Sequence, residues 1–432
     1  MSYSRVLKRL QLLHPKYIDL NLNRILKLLK KLGNPHRKLP PTFHIAGTNG
    51  KGSTVAFLRN VLEFNGLKVH AYTSPHLINF SERIRLCGQT ISKKTLEDVF
   101  LEVENINNGQ EITFFEITTA AAFLIFSRVK ADVLLLEVGL GGRLDATNVI
   151  EQPLASIITS ISYDHENFLG NNLEKIAFEK SGIIKKNIPV ITQNQNKEVI
   201  QVISKTCQKL NSSLYIIGKN IKVDTNYNNL IKIRIDDNFF SFKKPKLLGD
   251  YQKTNAILAV SSLIICKNKV QNFDLKNSLE GISSTQWPAR MQKIKQGPLI
   301  RKINKNFNKK IILDGSHNPQ GIKLLVRNLR EYSSEKWQII FGSINTRNPS
   351  ELFNYLKPIT SLIVTIKIPG QENSFTSLQL KYKADQLGLN AISANSLNEA
   401  VNLVSKNSFP VCICGSLYLA GYFLKINKNK LN

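Results

Sequence analysis

The segment running from Thr42 to Gly66 limits the folds open to this chain more than any other. An apolar run, Thr42-Phe43-His44-Ile45-Ala46, passes directly into a glycine-rich turn, Gly47-Thr48-Asn49-Gly50-Lys51-Gly52-Ser53, and then into TVAFLRNVLEFNG. In that last stretch Val55, Leu58 and Leu62 fall on one helical face, and Gly66 suits the C-terminal cap. Strand, glycine turn and helix in immediate succession open a βαβ unit, and a chain built on that unit folds as layered α/β structure with a mostly parallel sheet.

The rest of the chain keeps the same alternation. Further strands are predicted at 68–72, 132–138, 155–160 and 189–192. A second series opens at Lys310-Ile311-Ile312-Leu313 and continues as helix 320–332, strand 338–341, helix 349–356, strand 361–366, helices 377–387 and 396–405, and strand 410–414. With 432 residues, two or three domains are expected. The reading is a first domain over 1–291, a polar, basic linker over 292–310 punctuated by Gly297-Pro298, and a smaller doubly wound domain over 311–432. Residues 215–246, with Asn226, Asn228, Asn229, Asp236 and Asp237 as turn formers, predict a small antiparallel insertion in the first domain.

Composition removes several function classes. The opening MSYSRVLKRLQLLHP has no apolar signal region, and the longest apolar stretch, about 117–126, falls short of the roughly 20 residues needed to cross a bilayer. No membrane role is expected. The five cysteines form no CxxC pair, which argues against a disulfide framework or a zinc site and for a reducing cytoplasm. Cys412 and Cys414 alternate along a strand and read as buried packing. Fifty-nine Lys and Arg against 31 Asp and Glu give a net charge of +28, which attracts anions. The basic residues are spread from Arg5 to Lys430 without a concentrated arm, so a nucleic-acid partner is not expected.

The turn at 47–53 carries the first chemical signal. Backbone N–H groups of a glycine-rich turn at a helix N-terminus close around phosphate oxygens, and Lys51 adds positive charge. The pattern departs from the strict Walker A motif: Ile45 stands at the first glycine position and Gly52 at the Ser/Thr position. Mg²⁺ on ATP needs few protein ligands, because it retains water and phosphate oxygens. Glu137 ends the apolar strand DVLLLEVGLGG at the edge where α/β sheets place ligands, with pairing to Arg143 as the alternative. Asp164-His165 follows the next strand in an equivalent position, and placement beside Glu137 favours metal or phosphate contact over a structural histidine.

These motifs, taken with HIAGTNGKGS, AYTSPHLINFSERI, TFFEITTAAAF, EVGLGGRLDATN, the 159–185 run, LLGDYQKTNA, WPARMQ, LDGSHNP and CGSLYLAG, appear in the order seen in the bifunctional dihydrofolate synthase/folylpolyglutamate synthases. Those enzymes belong to the Mur-type ATP-dependent amide ligases, and the chain resembles them over nearly its whole length. The resemblance implies a P-loop-containing Mur-ligase-type central domain with a Rossmann-like C-terminal domain. It implies that Gly50, Lys51, Gly52 and Ser53 hold ATP phosphates, that Ser74, Glu137 and His165 ligate Mg²⁺, and that Lys180 is carbamylated and catalytic with Lys51 and His165. Read from residues alone, Lys180 serves equally as a solvated or ion-paired lysine beside Glu179. By the same resemblance Asn255, Arg290, Asp314 and His317 contact the nucleotide. A pterin-bearing substrate is implied near Ile18-Asp19-Leu20-Asn21-Leu22-Asn23-Arg24, at Thr113, Phe114, Phe115 and Glu116, and at Leu144, Asp145 and Ala146. Either phenylalanine fits ordinary core packing as well as a flat ring.

The implied activity is ATP-dependent addition of L-glutamate to dihydropteroate and to reduced folates through an acyl phosphate, by a cytoplasmic monomer. A muramyl ligase needs a UDP-binding domain ahead of the glycine turn, for which the 46 preceding residues leave no room. A nucleic-acid-dependent P-loop NTPase fits the charge and the turn, yet no nucleic-acid module accompanies them. Three departures from the family stand out: Ala289 where WPGR is common, Ser316 where alanine is common, and Ile344-Asn345-Thr346-Arg347-Asn348 where an acidic cluster is usual.

Overall fold

The apolar run at Thr42–Ala46 forms strand β1, buried along its whole length. A strand without polar alternation must be covered on both faces, so it belongs in the middle of a sheet. The computed structural model, which describes residues 3–14, 18–224, 229–345 and 348–428, places it there. Asn226, Asn228, Thr346, Arg347 and Lys430, named above, lie outside the described residues.

β1 shares an eight-stranded sheet with β2 (Val69–Tyr72), β3 (Ile84–Leu86), β4 (Gln89–Thr90), β5 (Val133–Glu137), β6 (Ala155–Ile158), β7 (Val190–Thr192) and β8 (Leu214–Ile216), in the order β4-β3-β2-β5-β1-β6-β7-β8. Neighbours from β2 through β8 in that order pair parallel. The β3–β4 hairpin adds an antiparallel edge. Helices Lys93–Asn107 and Phe114–Arg128 supply Leu96, Phe100, Phe123 and Phe126 to a core shared with Leu134 and Leu136 of β5. Helices Leu173–Ser181 and Lys197–Lys209 supply Ile176, Ala177, Val199 and Ile203 to a second core with Ile158 and Val190. Truncating one of these buried phenylalanines to alanine costs about 3–5 kcal/mol.

The insertion is a three-stranded antiparallel sheet of β9 (Ile221–Asp224), β10 (Leu230–Ile235) and β11 (Asn238–Lys243). Ile231, Ile233 and Ile235 are buried and the residues between them are not, the alternation of a sheet covered on one face. Tyr215, assigned from sequence to this insertion, belongs instead to β8 of the large sheet, where it pairs in parallel with Ile191.

A six-stranded sheet is formed by β12 (Gln292–Lys293), β13 (Ile311–Leu313), β14 (Trp337–Phe341), β15 (Thr360–Ile366), β16 (Ala391–Ala394) and β17 (Val411–Cys414), in the order β12-β13-β17-β14-β15-β16. All its pairs are parallel except β12 with β13. Cys412 and Cys414 are buried in its core beside Ile339 and Phe341. Strand β16 escaped the sequence reading because its edge position leaves Ile392 and Ser393 incompletely covered and the run without an apolar signature.

The chain divides into two compact units, one of residues 1–246 and 252–285, the other of 247–251 and 286–432. The predicted linker at 292–310 is corrected by this division. It carries β12 and the helix Pro298–Ile303, and it lies inside the second unit. Ile294, Leu299, Ile300 and Ile303 are buried among the lysines that made the stretch read as polar. Among the described residues, no helix is long and apolar enough to cross a membrane.

Candidate active site

Four adjacent parallel strands, β2, β5, β1 and β6, end at the same edge of the large sheet. Their register pairs Tyr72 with Leu136, Ile45 with Glu137 and Ala46 with Ile158. Neighbouring strands lie about 4.8 Å apart, so residues just beyond these pairs become neighbours however distant they are in sequence. The segments that follow bring Ser74, Glu137, the glycine turn and the Thr159–His165 loop to that edge, where open α/β sheets bind ligands.

The glycine turn is pinned from both sides. Thr48 and Asn49 donate their backbone N–H groups to Ser160 O at 2.7 and 3.4 Å, and Thr48 Oγ1 joins the backbone of Ser162. Gly47 has φ 145°, and a Cβ built there would stand 1.8 Å from Thr159 Oγ1. Gly50, at φ 95°, precedes the helix Lys51–Phe64 and faces Asn255 Oδ1, 2.6 Å from where its Cβ would lie. The first turn of this helix carries Lys51, Gly52 and buried Ser53, where backbone N–H groups have no acceptor within the helix itself.

Two lysines reach the same carbonyl. Lys51 Nζ donates to Gly47 O at 3.0 Å and to Thr48 O at 3.3 Å, and Lys180 Nζ donates to Gly47 O at 3.0 Å. Lys180 is 4% exposed. Burial pushes its amine well below the usual lysine range, the Lys51 ammonium adds to the shift, and Asp145 opposes it. The ion pair with Glu179 considered from sequence is absent for a simple reason: Glu179 Oε1 accepts from Arg143 Nη2 and Nε at 2.9 and 3.1 Å. That contact also replaces the alternative pairing of Glu137 with Arg143. The loop carrying Arg143 packs tightly on the Lys180 helix, since a Cβ on Gly142 would meet Glu179 O at 2.7 Å and Lys180 O at 2.9 Å.

Glu137 is 3% exposed, and its Oε2 accepts from the Ser74 N–H at 3.3 Å. His165 has φ 53° ahead of a short helix, its side chain 40% exposed and its Nε2 3.8 Å from Asp164 Oδ1. Among the described residues, no group of three or more His, Cys, Asp or Glu side chains is placed to hold a metal. Glu137, Ser74 and His165 carry a buried carboxylate, a hydroxyl and an imidazole, donor types that suit a hard cation which keeps water among its ligands.

The residues assigned to the pterin side form a cluster of helix caps. Thr113 Oγ1 accepts from the Glu116 N–H, and Glu116 Oε2 accepts from the Thr113 N–H at 2.8 Å, a reciprocal capping box on the helix Phe114–Arg128. Arg24 Nε donates to the same Glu116 oxygen at 3.0 Å, and its Nη1 donates to Asp19 at 2.8 Å, so the 18–24 segment is tied to this helix. Glu116 Oε1 is buried without a hydrogen-bond partner. Asp145 accepts from Leu140 N, Thr147 N and Thr147 Oγ1, and the same hydroxyl lies 2.9 Å from His44 Nε2. Ala146 is buried and Leu144 partly so. Phe114 packs in the core against Phe80, while Phe115 covers Gly139, where a Cβ would fall 2.4 Å from its ring.

In the second unit, Asp314 is buried and organises its own loop, accepting from Met291 N at 2.7 Å and Ser316 N at 2.8 Å. Arg290 Nη1 donates to Ala289 O, and His317 Nδ1 lies 2.7 Å from Gly315 O, so Arg290, Asp314 and His317 converge. Ala289 sits at φ 55°, the left-handed conformation that glycine adopts freely and that costs other residues about 1–2 kcal/mol. Ser316 contributes backbone contacts here, which alanine would reproduce. At the third departure the Asn345 N–H donates to Asn373 O at 2.7 Å.

Residues 45–263, just over half of the chain, match the Mur ligase middle domain. The dihydrofolate synthase/folylpolyglutamate synthase of Bacillus subtilis is 32% identical over 358 residues, covering 79% of this chain and 80% of its own. The chain belongs to the dihydrofolate synthase/folylpolyglutamate synthase family. Structures of this family superpose on it closely. FolC of E. coli in complex with DHPP and ADP has a TM-score of 0.87 at 27% identity, over 99% of this chain and 97% of its own. The bifunctional enzyme of Yersinia pestis, complexed with AMPPNP and Mn ion, has a TM-score of 0.85 at 26% identity, over 98% of each chain. Family membership accounts for the Mur-ligase-type α/β fold.

Sequence reasoning did not single out Thr159, Ser160 or Gln252. Thr159 shapes the turn only because β6 lies beside β1, and a single sequence does not display strand register. Gln252 was in view within LLGDYQKTNA, one helical turn before Asn255.

Proposed function

We propose that this chain is an ATP-dependent ligase that joins L-glutamate to dihydropteroate, forming dihydrofolate, and to folates, forming folylpolyglutamates. The observation that carries the reading is the pair of lysines on the Gly47 carbonyl, set at a helix N-terminus beside buried Glu137. An anion seated there meets backbone donors and two amines in a water-poor setting, which is where a transferring phosphoryl group is stabilised best.

A carboxylate does not condense with an amine unaided, because its oxygen is a poor leaving group. Transfer of the γ-phosphoryl group of ATP to the substrate carboxylate gives an acyl phosphate. The α-amino group of glutamate attacks its carbonyl carbon, and phosphate departs from the tetrahedral intermediate. Lys51 holds and neutralises the phosphoryl oxygens, while the glycine turn fixes their position. Ser74, Glu137 and His165 would hold Mg²⁺, whose contribution is to offset charge on the phosphates. By the family resemblance, Asn255, Arg290, Asp314 and His317 are the residues assigned to the nucleotide. The pterin end lies toward Thr113, Phe114, Phe115, Glu116, Leu144, Asp145 and Ala146.

A buried amine held below its ordinary pKa presents a lone pair to CO₂, so Lys180 is suited to carbamylation. A carbamate would place a negative charge beside Lys51. The enzyme acts as a monomer in the cytoplasm.

The decisive experiment supplies ATP, Mg²⁺ and L-glutamate with dihydropteroate or with a reduced folate in separate reactions and identifies products by mass. Dihydrofolate in the first and lengthened folates in the second are expected. Formation of neither would overturn the assignment.

A further inference from the structure

Asn255 does not stand alone against the glycine turn. Its Nδ2 donates to Gln252 Oε1 at 3.1 Å, one helical turn earlier on the helix Asp250–Ile265. Its Oδ1 and Cγ lie 2.6 and 3.3 Å from where a Cβ on Gly50 would be, so the carboxamide is packed edge-on against the residue that starts the phosphate-binding helix. Asn255 is 4% exposed and Gln252 is fully buried.

The arrangement at Gln252 is costly. Its Oε1 is satisfied by Asn255, but its Nε2 is buried without a hydrogen-bond partner. A buried amide N–H lacking a partner is destabilising, and an apolar side chain of similar volume would avoid that. Position 252 therefore keeps a polar group at a place where stability alone favours methionine or leucine. What the group does there is visible in the geometry. A primary amide has two N–H donors and one carbonyl acceptor, and its two ends are nearly equal in size. Packing against Gly50 fixes where the Asn255 carboxamide lies but not which way round it sits. The hydrogen bond to Gln252 holds the plane of that carboxamide, by claiming one of its polar hydrogen-bonding positions and leaving the others to a ligand.

We infer that Gln252 is a positioning residue for the nucleotide, acting through Asn255 by fixing the orientation of its carboxamide beside the glycine turn. This rests on the reading of Asn255 as a nucleotide contact. Gln252 itself is fully buried and touches no ligand.

The test is a double-mutant cycle on the full-length enzyme, reading KM for ATP, kcat and the melting temperature of the nucleotide-free protein. Gln252→Met keeps the volume and removes the acceptor. It is expected to raise KM for ATP about fivefold to tenfold, the worth of one hydrogen bond, with kcat changed less than about twofold and melting unchanged or slightly higher. Asn255→Ala is expected to raise KM at least as much. In the Asn255→Ala background, Gln252→Met should then change KM by less than about twofold. Equal effects in both backgrounds, or an unchanged KM in Gln252→Met, would overturn the inference while leaving the Asn255 contact standing. An unchanged KM in Asn255→Ala would remove that contact and the inference with it. Gln252→Leu provides the same comparison should methionine prevent folding.

Discussion

Lys51 and Lys180 donate to one acceptor, the carbonyl oxygen of Gly47, each at 3.0 Å. Two amines on one carbonyl repel each other if both are charged, and the depressed pKa of Lys180 relieves that repulsion. On the function proposed above, Lys51 is the cation that meets phosphate. Lys51→Met should lower kcat about 10²–10³-fold with melting temperature retained, the loss typical of removing one preorganised donor to a developing anion. ADP release measured alongside thermal unfolding checks both halves.

Gly47 is fixed by Thr159. Gly47→Ala combines a left-handed backbone with a methyl placed on the Thr159 hydroxyl, and should destabilise by about 2–4 kcal/mol in urea unfolding. Adding Thr159→Ala should restore part of that loss, since it removes the collision but not the backbone strain. No recovery would mean that the backbone alone sets the cost.

Much of this was legible in the chain and some was not, for reasons that differ by residue. Strand β1, the glycine turn and the Lys51 helix declare themselves through local pattern, as do Pro349–Leu356 and the paired cysteines of β17. Long-range pairing does not. Arg143 turns to Glu179 rather than Glu137, and Thr159 faces Gly47, because of strand order that periodicity does not encode. The 292–310 stretch misled for a different reason: its buried isoleucines are few and widely spaced among lysines, so composition outweighed pattern.

His165 itself has the left-handed conformation ahead of a short helix, with its side chain 40% exposed. Its removal should cost the chemistry and not the fold. His165→Ala is expected to lose most ligase activity with unchanged circular dichroism and melting. Near-normal turnover would take it out of the metal site.

The buried Lys180 amine makes stability depend on pH in a defined direction. In the unfolded chain this lysine remains protonated up to its ordinary range near 10.5, whereas in the folded protein it loses its proton well below that. Between those two values the unfolded state binds more protons, so its contribution to stability rises with pH. Urea unfolding at two pH values in that window, repeated with Lys180→Met, should show this rise in the wild type and its loss in the variant. The comparison is made without added bicarbonate, which would introduce the carbamate as a second variable.

The diffuse charge of +28 is expected to steer small anions without forming a site. Values of kcat/KM for ATP should fall about twofold to fivefold between roughly 0.05 and 0.5 M salt, with kcat nearly constant. Insensitivity to salt would leave the charge without a part in catalysis.

Residues 247–251 belong to the second unit although the chain returns to the first for 252–285. Leu248 packs against the second core, and Met291 is buried within it. The two units are therefore interleaved in sequence, and no single cut frees both intact. A fragment starting at 311 would lack β12 and Met291, and one starting at 286 would still lack Leu248. For dissection by limited proteolysis or by separate expression, the smallest clean piece carrying the whole second core is one that also carries the 252–285 segment of the first.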